Sequence, residues 1–262
     1  MVLDAKDYAL PQQRKRAWSV LIHAKSFNIA RKEAARLCLE VLDKAVSLKV
    51  EPLPLHDFLL RQGNHFVKAE LLRRQGQANA GIDRNADNGW IDLHQRFAAS
   101  KGVSWSTMKP DAHIKNSKWF YLLPTREREI VTLWKQAVPS AESVDCSARI
   151  DRQSIGSGGI LPTIVPGGKT FLLLKGPNKQ PLNRILLGRE ALALQGYPVE
   201  KVYPEGHDDI PANPKLHDLA GNAFPTTVCL ALFLATFACI PSRPSAEGET
   251  VADLRSLLDG DW

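Results

Sequence analysis

Apolar and polar positions along the chain predict helices and strands in mixed order. Apolar residues recur at helical spacing from Phe27 to Leu48 with charged residues off the stripe, which predicts an amphipathic helix capped by Ser26. Short, continuous apolar runs predict strands instead, and these are Arg16 to Ala24, Ile160 to Val165 and Thr170 to Leu174. Further helical patterns lie at Phe66 to Arg74, Trp90 to Ala99, in "PTREREIVTLWKQAV" with Thr125 as its cap, and in "GREALALQGYP". The pattern therefore favours an α/β protein.

The segment "DLAGNAFPTTVCLALFLATFACIP" is the most apolar part of the chain. No charged residue stands between Asp218 and Arg243, which approaches the roughly 20 apolar residues that a membrane span needs. Gly, Asn and Pro interrupt its first part, and only Thr226 to Ile240 remains as a continuous apolar run. We therefore predict a buried core helix rather than a membrane anchor, with Asn222 as its N-cap and Pro225 in its first turn.

Composition and charge indicate the cellular compartment and, more weakly, the kind of partner. The 262 residues carry a formal net charge of +6, which suits a polyanionic partner but is also common in ordinary enzymes. The four cysteines are scattered without a CxxC pair, and the N-terminus is charged where a signal peptide needs an apolar stretch. We expect an intracellular protein with reduced thiols, in the nucleus if it is eukaryotic and otherwise in the cytoplasm.

Two glycine-rich stretches and the histidines do not form a known site. "VPGGKT" ends like a phosphate-binding loop, but Thr163 stands where that loop needs its first glycine. "GSGG" precedes a predicted strand rather than a helix, which is the wrong order for a dinucleotide site. No histidine spacing gathers a metal, so the sequence predicts no metal site.

Three other segments carry a more specific signal, "LPQQRKRAWSVLI", "NRILLGREALALQGYP" and "LAGNAFPTTVCLAL". In the first, Arg14 and Arg16 directly precede or begin a predicted strand, and their planar guanidinium groups suit phosphate oxygens or a base carbonyl. Taken alone, that segment is more commonly a solvated basic turn, because runs of charged residues usually mean only exposure. Together and in this order, however, the three segments resemble the eighth, ninth and tenth sequence blocks of the DNA (cytosine-5) methyltransferases.

The resemblance implies a role for each matched residue. The eighth block implies base-pocket or DNA-facing positions, which here are Gln12, Arg14 and Arg16. The ninth block implies residues that organise the recognition domain, which here are Arg184, Glu190, Gln195 and Gly196. The tenth block implies contacts to the cofactor S-adenosyl-L-methionine, at Gly221, Asn222 and Ala223, where alanine replaces the serine of many members. DNA is the implied partner, because a base must be extruded from the duplex for this chemistry.

The resemblance also implies a fold and a division of the chain. We expect an α/β fold, an incomplete Rossmann-like S-adenosylmethionine-dependent methyltransferase fold with an inserted α+β target recognition domain. Residues 1–26 and 183–240 would belong to the methyltransferase core, residues 27–182 to the recognition domain and residues 241–262 to a polar tail.

Several parts of the family pattern do not occur in these residues. The family nucleophile is a cysteine after proline, assisted by a Glu-Asn-Val block and a first cofactor loop, and this sequence has no Pro-Cys, no Glu-Asn-Val and no such loop. Cys146 is the most polar in its surroundings but falls in the presumed recognition domain, so no nucleophile is assigned. We expect a C-terminal half that is inactive alone and needs a second chain for the N-terminal half.

Two alternatives remain open at this point. The chain could be a non-catalytic DNA-binding or regulatory module that keeps the recognition domain. It could also be a relative of the tRNA cytosine-5 methyltransferases, although the length of the intervening region favours DNA.

Overall fold

The structure is a computed structural model that describes residues 1–23, 29–79, 89–105, 110, 112–152, 155–175, 181–204 and 210–239. Its strands are β1 Val2–Asp4, β2 Lys15–Ala17, β3 Ser143–Asp145, β4 Ile155–Gly156, β5 Thr170–Lys175 and β6 Pro181–Ile185. Its helices are α1 Arg31–Ser47, α2 His65–Asn79, α3 Trp90–Ser100, α4 Ala112–Lys115, α5 Lys118–Tyr121, α6 Thr125–Ala137, α7 Gly188–Ala193, α8 Val199–Val202, α9 Asn213–Asn222 and α10 Thr226–Cys239. This mixed content is compatible with an α/β methyltransferase fold.

Packing divides the chain into two compact units. The larger unit contains residues 2–18 and 49–230, and the smaller one contains residues 19–48 and the segment that begins at Ala231. These limits differ from the domain boundaries expected from the sequence, and the assignment of residues 27–182 to a recognition domain stays a prediction.

The larger unit is built around a four-stranded antiparallel sheet in the order β4-β3-β5-β6. Phe171 of β5 is fully buried, and it pairs with Val144 of β3 and Ile185 of β6. Helices α3, α5 and α6 supply aromatic side chains to the same core, with the rings of Phe97 and Trp134 only 4.7 Å apart. Large aromatic side chains bury much apolar surface, and they hold these helices against the sheet.

Helices α7 and α9 pack closely because Gly188 has no side chain. A Cβ atom at Gly188 would lie 2.4 Å from the carbonyl oxygen of Asn213 and 2.6 Å from Cβ of Leu216. The backbone N–H of Gly188 also donates to the side-chain oxygen of Asn213 at 2.6 Å. This contact brings the segments of the ninth and tenth blocks together.

The smaller unit contains α1 and the C-terminal part of α10. Val41, Ala45 and Ala235 are fully buried there. However, Phe233 is 60% exposed and Phe237 is 77% exposed, so the prediction of a core helix is wrong for this face of α10. The apolar residues surround the whole helix, and the described residues cover only one side of it.

Length and composition alone would allow the segment Asn213–Cys239 to cross a membrane, with a mean hydropathy of 1.6. Only 22% of that apolar window is buried. The backbone is not helical throughout, because α9 ends at Asn222 and α10 begins at Thr226. That the segment is no membrane anchor stays a prediction.

Most predicted helices are confirmed, but two strands and three caps differ. The strand expected from Arg16 to Ala24 ends at Ala17, and Leu21 is 93% exposed, while Ala24 lies outside the described residues. No strand forms over residues 160–165, where Leu161 instead exchanges backbone hydrogen bonds with Pro11 and Gln13. Helix α6 has Pro124 rather than Thr125 at its N-cap, α1 begins only at Arg31, and Asn222 ends α9 instead of capping α10. Ser26 and Ile240 lie outside the described residues.

Candidate functional site

Backbone hydrogen bonds hold the eighth-block segment in place. Strands β1 and β2 pair antiparallel, with Leu3 opposite Arg16. Gln13 donates its N–H to the carbonyl of Leu161 at 2.8 Å, and Leu161 donates to Pro11 at 2.9 Å. These backbone contacts therefore determine the directions in which Gln12, Arg14 and Arg16 project.

Gln12 joins the eighth block to the ninth. Its side chain is fully buried, and its Nε2 donates to the carbonyl of Leu194 at 2.9 Å. Its Oε1 accepts a hydrogen bond from Nε2 of Gln195 at 3.1 Å. A buried amide must satisfy its polar atoms, so this pair fixes the two segments relative to one another. A DNA-facing role for Gln12 stays a prediction, and the side chain itself is enclosed by protein.

Arg14 joins the eighth block to the tenth and is only 2% exposed. Its Nη1 donates to the carbonyl of Ile164 at 2.7 Å, and its Nη2 donates to the carbonyls of Gly221 and Ala223 at 2.8 Å each. Burial, and secondarily the charge of Arg16, lowers the pKa of Arg14 to about 10. Arg14 is still a cation at neutral pH, and its two terminal nitrogens are bonded to carbonyl oxygens.

Arg16 differs from Arg14 in its exposure. Its side chain is partly exposed on β2, and its Nη1 donates to the carbonyl of Lys15 at 2.9 Å. Of the two arginines, Arg16 is therefore the one whose charge can meet a phosphate or a base. That role stays a prediction.

Arg184 and Glu190 of the ninth block form a buried ion pair. Their side chains are 0% and 1% exposed, and the two guanidinium nitrogens of Arg184 lie 2.8 and 2.5 Å from the carboxylate oxygens of Glu190. The same carboxylate accepts the N–H groups of Leu187 and Leu60, and Arg184 donates to the carbonyl of Leu60 at 2.9 Å. Leu60 lies far away in the sequence, so the pair fixes a distant loop to β6 and α7.

Gln195 and Gly196 form the turn after α7 and contact the start of α10. Gly196 has a φ of +82°, which favours glycine, and a Cβ atom there would lie 2.1 Å from Oγ1 of Thr226. The carbonyl of Gln195 accepts from both the N–H and the hydroxyl of Thr226. The ninth block thus touches both of its neighbouring blocks.

The tenth-block residues offer only part of a cofactor site. A Cβ atom at Gly221 would lie 2.2 Å from the backbone nitrogen of Pro166, so the space beside this glycine is filled by protein. The carbonyls of Gly221 and Ala223 already accept from Arg14. Asn222 is exposed, with its Nδ2 on the carbonyl of Asp218 at 3.0 Å. The donor set therefore fits S-adenosylmethionine at Asn222 alone among these three positions, and cofactor binding there stays a prediction.

The loop "VPGG" contributes to this cluster although its sequence matched no motif. Asp218 accepts the N–H of Gly167 at 2.6 Å, and Gly221 packs on the backbone of Val165 and Pro166. His217 is 6% exposed, burial lowers its pKa, and its ring nitrogens have no hydrogen-bond partner among the described residues. Only the density of glycine and proline in this loop could have indicated so close a packing.

Two of the cysteines, Cys146 and Cys229, do not resemble an activated nucleophile. Cys146 is fully buried, and burial raises its pKa well above the usual value. Burial also raises the pKa of Cys229. Because the thiolate is the nucleophile, a raised pKa makes both thiols unreactive near neutral pH. Among the described residues no group of three or more His, Cys, Asp or Glu side chains could hold a metal ion.

Comparison with known proteins identifies the class to which this arrangement belongs. The family model for C-5 cytosine-specific DNA methylase matches residues 1–237, and the chain belongs to that family. A curated relative, DNA (cytosine-5-)-methyltransferase DMT5 of Verticillium dahliae, is 37% identical over 286 residues. The match covers 99% of this chain but only 11% of the relative, so the chain spans about a tenth of the length of that protein.

Proposed function

We propose that this chain is the DNA-facing C-terminal half of an S-adenosylmethionine-dependent DNA cytosine-5 methyltransferase. The proposal is supported chiefly by the way its three sequence blocks interlock. Gln12 bonds Leu194 and Gln195, and Arg14 bonds Gly221 and Ala223. Blocks that are far apart in the sequence thus form one contiguous cluster, as the parts of a single catalytic core should.

Within that core, Arg16 is the residue that we assign to the flipped base. An enzyme that modifies a base takes it out of the duplex, and a nearby cation stabilises charge that develops on the ring during attack. Arg16 is partly exposed and its guanidinium retains donors beyond its bond to Lys15. S-adenosylmethionine, when bound, supplies the methyl group, and Asn222 is the residue of this chain that would contact it. Residues 27–182 would read the DNA sequence.

The nucleophile must then come from another segment or a second chain. The sequence has no Pro-Cys dipeptide, and Cys146 and Cys229 have raised pKa values. The exposed apolar face of α10, formed by Phe233, Leu234 and Phe237, supports a contact with a further part of the protein. We therefore propose that the 262 residues bind DNA but do not methylate it alone.

A reconstitution assay tests this proposal. The chain would be mixed with the N-terminal half of a DNA cytosine-5 methyltransferase that contains the Pro-Cys nucleophile, and methyl transfer to duplex DNA would be measured. We expect transfer from the mixture and none from either half. DNA binding by the chain alone should weaken steeply with salt, because phosphate contacts release counterions. No DNA binding at low salt would overturn the proposal, and DNA binding without any reconstituted transfer would favour a non-catalytic module.

Arg16 and Lys15 provide a matched pair of variants for the same assay. Both lie on β2, and Lys15 is exposed. We expect Arg16→Ala to lower turnover by about 10² or more, since it removes transition-state charge stabilisation, whereas Lys15→Ala should change turnover little. Equal turnover in the two variants would contradict the role of Arg16.

A further inference from the structure

The guanidinium of Arg14 lies at the C-terminal end of α9. Gly221 is in the last turn of that helix, and Ala223 is its C-cap residue. The last carbonyls of a helix have no intrahelical partner and carry a partial negative charge, so a cation is favoured there. Arg14 donates to two of these carbonyls at 2.8 Å and therefore acts as a side-chain cap of α9.

The same guanidinium also fixes the loop on the other side of α9. Its Nη1 donates to Ile164, directly before the residues that pack on Gly221. The backbone N–H of Arg14 is bound by the carboxylate of Asp4 at 2.8 Å, so the base of the side chain is held as well. A planar fork with several fixed donors is needed for three acceptors in different directions, and a lysine ammonium is a poorer match.

Arg14 connects the strand that bears Arg16 with the turn that bears Asn222. Arg14 is two residues from Arg16, and its acceptors Gly221 and Ala223 flank Asn222. We infer that Arg14 is a positioning residue, or clamp, that holds the turn bearing Asn222 in place relative to the strand bearing Arg16. Arg14 itself does not contact DNA. The inference rests on the proposed function for the roles of Arg16 and Asn222, and it replaces the DNA-facing role expected for Arg14.

Hydrogen exchange of the whole chain tests the clamp without DNA or cofactor. In Arg14→Gln we expect amide exchange across residues 219–229 to accelerate about tenfold, because the turn opens locally. Exchange across β5 should stay as in the unaltered chain, which shows that the fold persists. Where Arg14→Gln does not fold, Arg14→Lys takes its place with a smaller expected acceleration. Unchanged exchange across residues 219–229 in a folded variant would overturn the inference.

The salt dependence of DNA binding separates a clamp from a phosphate contact. Loss of one phosphate-binding cation lowers the slope of log affinity against log salt by about 1. We expect Arg14→Gln to leave this slope unchanged. A slope lowered by Arg14→Gln would overturn the inference. A chain that binds no DNA at all would overturn the proposed function instead, and the exchange experiment would still decide the clamp.

Kinetics of the reconstituted enzyme distinguish positioning from general loss of structure. A merely structural defect reduces the active fraction and leaves KM unchanged. We expect Arg14→Lys to raise the KM for S-adenosylmethionine about tenfold while the KM for DNA changes less than about twofold. An unchanged KM for S-adenosylmethionine, or an equal rise in both values, would contradict a role through Asn222.

Discussion

Two acid and base pairs in the larger unit differ in how fully they are hydrogen-bonded. In the ninth block, Arg184 and Glu190 meet through two short contacts, and the carboxylate also accepts two backbone N–H groups. Between α3 and α6, His94 and Glu129 meet through one contact of 3.1 Å. Burial lowers the pKa of His94 to about 4 and raises that of Glu129 to about 7. Each of these shifts favours the neutral form.

Burial disfavours the charged form of a group, whereas hydrogen bonds to the charged form favour it. Glu190 has four donors, and they replace the water that its carboxylate lost. His94 is surrounded by aromatic rings, with the Trp90 ring centroid 4.8 Å away, and the charge of Arg126 disfavours its protonation further. The first pair anchors distant segments through several hydrogen bonds, whereas the second resembles a neutral packing contact.

The largest expected effect comes from removing the carboxylate of the ninth-block pair. In Glu190→Ala, Arg184 would remain buried without its counter-ion, which costs about 3–5 kcal/mol of unfolding free energy. Urea unfolding followed by circular dichroism measures the change. The control Glu190→Gln keeps the volume and one acceptor, and its loss should be smaller. If both variants lost less than the Glu129→Gln variant, the distinction between the two pairs would be wrong.

The second prediction concerns the pH dependence of stability at the His94 and Glu129 pair. The pKa of His94 is lowered from 6.5 to about 4, so its contribution to stability is lost as pH falls from 6.5 towards 4. The pKa of Glu129 is raised from 4.5 to about 7, so its contribution is lost as pH rises from 4.5 towards 7. The two contributions oppose each other between pH 4.5 and 6.5.

Substitution of either partner should expose the contribution of the other. In Glu129→Gln, unfolding free energy should rise by about 1–3 kcal/mol between pH 4.5 and 6.5 relative to the unaltered chain. In His94→Gln it should fall relative to the unaltered chain over the same range. Urea unfolding at a series of pH values measures both slopes, and parallel profiles for all three proteins would contradict the assignment.

The sequence predicted individual helices better than it predicted the contacts between distant segments. The helical stripes of α1, α2, α3 and α6 were sufficient because helical periodicity is a local signal. The strands β3 and β6 were missed since their burial depends on pairing with β5, which no local pattern records. The block resemblance singled out Arg14 and Arg16 alike, and only the fold distinguishes the buried side chain from the partly exposed one. Similarly, the apolar run of α10 indicated a helix but could not show which of its sides the described residues leave exposed.

The smallest expected effect comes from an ion pair on the surface. Arg36 of α1 contacts Glu33 and Glu40, and its side chain is 56% exposed. The hydrogen bond to Arg36 lowers the pKa of Glu33, yet water solvates these ions almost as well as they solvate each other. We therefore expect Glu33→Gln to leave the urea midpoint unchanged within error, both at low salt and at high salt. A loss comparable to that of Glu190→Ala would mean that the count of ion pairs, rather than their burial, governs the stability of this protein.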